Sequence, residues 1–230
     1  MKKNVLLLAF ILFNGLVSQG CLPGGCSLAS QQQVDEFQSL FPGCTVIEGN
    51  LTISNNPMAG DPITNLNGIS ILTEVNGDVF IIDTWLPDLA GLNTLSRIGG
   101  SLYLWSNSYL TSLNGLENLN SIGNNLEIGT FNRGNELISD ISALNHLSSL
   151  GGNLEISDSP NLASLAGLEE ITSIQGMLHL VNTPLLVNLN GLNNLESVGG
   201  ILWIEDNNSL SSLSGLENLT LVGLDLLIRN

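Results

Sequence analysis

"GILWIEDNNSLSSLSGLENLTLVG", residues 200–223, decides the fold. Leu202 and Ile204 alternate with Trp203 and Glu205, the period-two pattern of a short strand with one buried face. The rest of the stretch moves to a period of three. Its counterpart at 100–123 shows this plainly, with Leu110, Leu113, Leu116, Leu119 and Ile122 recurring every third residue. Such spacing suits short extended segments joined by tight bends, each turning one side chain inward. An amphipathic helix fails as a reading, because its apolar stripe would drift and a Gly interrupts each run.

Working outward, the same sentence recurs along the chain, roughly G-x-L-x-I-x-x-N-x-x-L-x-x-L-x-G-L-x-x-L-x-x-V-G. Coils start at Gly49, Gly77, Gly100, Asn124, Gly152, Gly176 and Gly200, with a fragment from Leu224. A fixed period of this length implies a solenoid whose units bury their apolar sides only against their neighbours. The expected fold is an all-β solenoid, a right-handed parallel β-helix of seven coils plus a partial eighth over 49–230. Eight strands at about 4.8 Å spacing would make a rod of about 35–40 Å. The Gly before the second Leu of each run (Gly68, Gly91, Gly115, Gly167, Gly191, Gly215) suits a bend with positive φ. The fourth coil is read with Ser142 at that bend.

Before the coils, residues 21–48 read as a cap. Ser30 and Gln33 form a capping box, and Val34, Phe37, Leu40 and Phe41 give one apolar face to a short helix that Pro42-Gly43 stops. Residues 1–20 read as an export signal, with Lys2 and Lys3 ahead of the apolar run Val5 to Phe13 and small residues at Ser18 and Gly20. In an exported chain a disulfide is the default, with Cys44 pairing with Cys21 or Cys26. Cys21, directly after the signal, is also a candidate lipid attachment site. At the other end "LDLLIRN" stops one strand into a new coil, which predicts either further sequence beyond residue 230 or a covering chain.

Charge narrows the partners. Five basic residues stand against 21 acidic ones, a net charge of −16. Nucleic acid and anionic membrane surfaces are disfavoured, since both are held by Lys and Arg.

The repeat "GNLEISDSPNLASLAGLEEITSIQG" (152–176) resembles the receptor L domain, the leucine-rich β-helix of insulin and epidermal growth factor receptors. It is closer still to bacterial relatives in secreted Bacteroidetes proteins, and similar to fungal cell-wall proteins with the same coil. The stretch "CLPGGCSLASQQQVDEFQSLFPGCTVIEGNLTIS" (21–54) looks like the cap that opens those bacterial proteins. That resemblance implies a Cys21–Cys44 pair with Cys26 left over and a bacterial surface or secreted location; the receptor members of the family bind protein ligands.

Catalysis was weighed on the residues themselves. Some parallel β-helices degrade polysaccharides, and Glu127 with Glu155 would sit at the same outward position of adjacent coils, about 5 Å apart. No basic group or third acid joins them at neighbouring outward positions, and His179, next in the row, reads as a solvated side chain. Neither His146 nor His179 has metal-ligand neighbours at useful spacing. The three Arg outside the leader fall at unrelated coil positions. No enzyme activity, cofactor or metal is expected.

The outward positions carry the functional signal. The first runs Thr52, Phe80, Tyr103, Glu127, Glu155, His179, Trp203, Leu227; the second runs Ser54, Ile82, Trp105, Gly129, Ser157, Val181, Glu205, Arg229. Stacking makes two ladders on one sheet face. Phe80, Tyr103, Trp105, Glu127, Glu155, His179 and Trp203 are the candidate ligand-binding residues, since contiguous exposed apolar patches mark interaction sites. Extra residues around Met58–Pro62 and Phe131–Leu137 follow their strands and are expected to flank one edge of that face. Two readings follow: a secreted or surface module binding a protein or glycan across the sheet, or a structural spacer whose aromatics only pack laterally.

Overall fold

The computed structural model describes residues 20–58 and 60–229. The expected export signal therefore lies outside the described residues, apart from Gly20. The chain winds as a solenoid of parallel strands. One long sheet stacks nine of them in chain order: Cys26–Leu28, Leu51–Ser54, Val79–Ile82, Leu102–Trp105, Leu126–Ile128, Leu154–Ser157, Leu178–Val181, Leu202–Glu205 and Leu226–Arg229. Pairing stays in step throughout, Leu51 opposite Val79, Val79 opposite Leu102 and Leu102 opposite Leu126. Two-residue strands just before the coil corners build a second wall, from Gly20–Cys21 to Ser149–Leu150 in one sheet and from Ser173–Ile174 to Leu221–Val222 in another.

The period-two and period-three leucines meet inside. Leu102 and Leu104 from the strand, and Leu110, Leu113, Leu119 and Ile122 from the bends, are all 0% exposed. Full burial of such a side chain stabilises by about 1.5–3 kcal/mol, so each coil contributes a rung of a continuous dry interior. At Gly91, Gly115, Gly167, Gly191 and Gly215 the bends have φ between 107° and 113°, a conformation an L side chain rarely adopts. Gly68 does not share it. It lies in a 3₁₀ turn, Asn67–Ile69, where a Cβ would overlap the Val34 carbonyl of the capping helix. In the fourth coil the register aligns Ala143, not Ser142, with the bend glycines, and a 3₁₀ turn over Ser142–Leu144 replaces the left-handed bend.

The asparagine of the repeat is a buried splint. Asn107, 0% exposed, accepts from the Thr84 backbone N–H (3.1 Å) and hydroxyl (2.7 Å), and its Nδ2 donates to the Ile81 carbonyl (2.8 Å). Asn135 takes the next step, donating to the Leu104 carbonyl at 2.7 Å and accepting from the Asn107 N–H at 3.0 Å. Asn207 does the same for Thr183 and Leu180. The splint satisfies backbone groups where the chain leaves the strand, which buried polar groups require.

The cap is itself a modified coil. Cys26–Leu28 adds a ninth rung ahead of the eight foreseen, pairing with Leu51–Ile53, and Gly20–Cys21 pairs with Val46–Ile47. The helix Gln31–Leu40 takes the place of the bends. Ser30 Oγ accepts from the Gln33 N–H at 3.3 Å, and Gln33 Oε1 reaches back to the Ala29 N–H at 2.6 Å. Val34 and Phe37 are buried over the first coil, whereas Leu40, expected on that face, is 60% exposed. Cys21 and Cys44 form a disulfide with Cα atoms 5.8 Å apart. Because the disulfide occupies the Cys21 sulfur, a lipid thioether there is incompatible with this structure. Cys26 is a free, half-buried thiol, and burial raises its pKa.

Candidate ligand-binding face

The outward positions of the long sheet fall into the expected ladder. Phe80 lies opposite Tyr103, Tyr103 opposite Glu127, Glu127 opposite Glu155, Glu155 opposite His179, and His179 opposite Trp203. All seven candidate residues share this face. Each is only partly exposed, because neighbouring rungs cover one another.

Two aromatic clusters flank an ionisable centre. The Phe80 and Tyr103 rings stack at 4.8 Å, with Trp105 tilted 4.8 Å from Tyr103 and edge-on to Phe80 at 6.5 Å. At the other side His179 and Trp203 lie 4.8 Å apart. Aromatic pairs at such distances stabilise by about 0.5–1.5 kcal/mol beyond area burial. The Trp203 indole N–H donates to Glu205 Oε2 at 2.8 Å, so the outward tryptophan has its polar edge satisfied by its own strand.

The centre is less solvated than its position implies. The Glu155 and His179 side chains are only 16% and 17% exposed, which corrects the reading of His179 as a solvated residue. Glu155 Oε2 lies 3.6 Å from His179 Nδ1, a Coulombic contact rather than a hydrogen bond. The Ser157 hydroxyl donates to Glu155 Oε1 at 3.0 Å. Burial pushes the Glu155 carboxyl up, but the neighbouring His179 and Ser157 outweigh it and hold its pKa below the usual value. Glu127 goes the other way: burial, and then the Glu155 charge, raise its pKa. Both His179 ring nitrogens and Trp105 Nε1 lack a hydrogen-bond partner among the described residues. Buried polar atoms are seldom left so.

The second outward ladder is broken. At Gly129, expected as one of its rungs, the strand has already ended at Ile128 and the chain turns with φ 75°. The extended loop that begins there supplies a residue no repeat position marks. Arg133, within the extension expected to flank this face, places its guanidinium 5.8 Å from the Trp105 ring centroid and 3.6 Å from Asp83 Oδ2. Such stacking over an aromatic face is attractive by about 0.5–1 kcal/mol at an exposed site. Trp85 and Tyr109 were also missed. They lie in the bends after Val79–Ile82 and Leu102–Trp105, each 50% exposed, with ring centroids 5.5 Å apart. Their sequence signal is an aromatic just before a buried leucine (Leu86, Leu110), off the outward strand positions.

The loop after Leu51–Ser54 stands beside Trp85. Between them opens a cleft of about 630 Å³, lined by Asn55, Asn56, Pro57, Gly60, Asp61, Pro62, Asp83 and Trp85. None of the ionisable centre lines it.

Residues 43–129 match the family model described as Receptor L domain. That stretch lies within the solenoid, whose winding is a receptor L domain-like β-helix. No curated protein and no solved structure matches the chain. Among the described residues no helix is long and apolar enough to cross a membrane.

Proposed function

We propose that this β-helix is an exported recognition module that binds a protein ligand across the outward face of its long sheet. The observation that carries the reading is the ladder itself: Phe80, Tyr103, Trp105, Glu127, Glu155, His179 and Trp203 in register on one wall. Aromatic residues are enriched at protein interfaces and Lys is depleted, and the described chain contains no Lys. The Cys21–Cys44 disulfide supports export, because such bonds persist in oxidising compartments. A bacterial source rests on the sequence resemblance alone.

The competing structural role draws on one observation, the mutual stacking of the rings, which would stabilise the sheet without any ligand. Alanine at Phe80, Tyr103, Trp105 or Trp203 separates the two, with labelled protein screened against an array of extracellular proteins and thermal unfolding followed in parallel. Binding lost at unchanged Tm supports recognition. Tm lowered in every variant, with no array binding even by the parent chain, supports the spacer.

A further inference from the structure

We propose that the cleft between Asn55–Pro57, Gly60–Pro62 and Trp85 is a subsite for a neutral oligosaccharide, with Trp85 as its aromatic wall and Tyr109, 5.5 Å from Trp85, extending that apolar surface beyond the cleft. This site lies off the strand face, in the bends that follow it, and stands independently of the protein-binding reading.

The first observation is placement. The two extended loops belong to the first and fourth coils, and the two half-exposed rings belong to the second and third. The rings thus lie along the solenoid between the two insertions. The bend does not require an aromatic there. The same position, just before the inward aliphatic, holds Leu137 in the fourth coil, Asn161 in the fifth, Leu185 in the sixth and Ser209 in the seventh, so an exposed apolar residue recurs there but a ring does not. Leu86 and Leu110 beside the rings are fully buried, so the core is complete without the rings. Only in the second and third coils are the residues at this position aromatic, and there they pair into one exposed apolar shelf, the kind of surface that marks interaction sites.

The second observation is the polar lining. Asn55 Oδ1 accepts from the Ile63 N–H at 2.7 Å and Asn56 Oδ1 from the Met58 N–H at 3.0 Å, which fixes both amides by their carbonyl side. Asp61 Oδ2 accepts from the Gln32 N–H at 2.8 Å. The Nδ2 groups of Asn55 and Asn56 and the second oxygen of Asp61 have no partner among the described residues. The cleft therefore presents held donors and a held acceptor next to a flat apolar ring. A pyranose has the complementary surface, a face of C–H bonds and a rim of hydroxyls that both donate and accept. The volume of about 630 Å³ lies within the range of small-ligand sites.

Charge selects among sugars. Asp61 and Asp83 line the cleft of a chain with net charge −16, which disfavours uronic acids and sulfated glycans. A bare organic cation fits less well: Trp85 alone lines the cleft, where cation recognition uses a cage of rings, and Asp83 already faces Arg133 at 3.6 Å.

The test titrates the folded chain with cellohexaose, xylohexaose, mannohexaose and maltohexaose, with a galacturonate hexamer and tetramethylammonium as the charged probes. The Trp85 indole resonance is followed by NMR. At least one neutral hexasaccharide is expected to shift it saturably at low millimolar concentration. Trp85→Ala and Tyr109→Ala are expected to weaken that binding about 10-fold or more, with Tm unchanged, while Trp203→Ala on the strand face leaves it intact. No shift with any neutral hexasaccharide, a shift only with a charged probe, or binding that survives both substitutions overturns the proposal. Because Trp203→Ala probes the sheet face separately, either site can fail alone.

Discussion

Replacing Asn107 with Ala tests whether the buried asparagine splint holds adjacent coils together. Asn107 is fully buried and serves three groups of the preceding coil: the Thr84 N–H, the Thr84 hydroxyl and the Ile81 carbonyl. Alanine leaves each of them short of a partner in a dry interior. An orphaned buried group costs about 1–3 kcal/mol. Taking the lower end, because Thr84 can rotate its hydroxyl, three groups give about 3–4 kcal/mol, a large share of the roughly 5–15 kcal/mol that holds most domains folded. Exposed Asn161, which makes one hydrogen bond to the Glu136 carbonyl at 2.8 Å, is the control, and its alanine variant should cost under about 0.5 kcal/mol. Urea unfolding followed by tryptophan fluorescence gives the overall loss. Hydrogen exchange at the Thr84 and Asn107 amides localises it, since a solenoid can open coil by coil. A loss below about 1 kcal/mol, or a Thr84 amide that keeps its protection, would refute the splint.

Other outcomes follow from the same geometry. Gly115→Ala should prevent stable folding of the third coil or lower Tm sharply, because φ is 110° there and the new Cβ would overlap the Leu89 carbonyl; a Tm within a degree or two of the parent (roughly the effect of a neutral surface change) would contradict it. For Glu127 the folded-state pKa is raised, so the folded chain holds that proton more tightly than the unfolded chain does, and stability falls as pH rises through the raised pKa. Glu127→Gln should therefore raise stability at neutral pH by a few tenths of a kcal/mol, solvent screening the half-exposed carboxylate; the gain should vanish on acidification below the usual carboxylate range. Glu155 has the opposite sign: its stabilisation is present above the unfolded pKa and lost as pH falls through the lowered folded value. Reducing the Cys21–Cys44 disulfide, which spans a separation of 23 residues, should cost about 3 kcal/mol in the chain-entropy model, with exchange protection lost first around the capping helix. Cys26 should alkylate slowly at neutral pH, since its thiol is half-buried and its pKa raised; rapid labelling in the folded state would show the cap more open than described.

Much of this was legible because a solenoid repeats its instructions. Alternation at Leu202/Ile204 and spacing by three at Leu110, Leu113 and Leu116 fix which side chains face inward, and a fixed period forces equivalent positions to stack. The ladder from Phe80 to Trp203 followed from that rule without any tertiary information. Bend chemistry was readable too, from glycines with positive φ, although Gly68 obeys a different constraint, the close approach of the capping helix.

What sequence could not supply lies where the repeat is interrupted or where chains of contact run between coils. Arg133 belongs to an insertion, so no repeat position predicts that it folds back over Trp105 and faces Asp83. The cleft beside Trp85 exists only because a loop of the first coil stands against a bend of the second. Burial of His179 and Glu155 depends on neighbouring side chains closing over them, which an outward strand position does not reveal. Local periodicity determined the winding, the inward face and the outward wall, because those depend on backbone geometry shared by every coil. Tertiary structure alone decided which outward groups are shielded, which are left without partners and where a cleft opens, because those depend on side chains from different coils meeting in space.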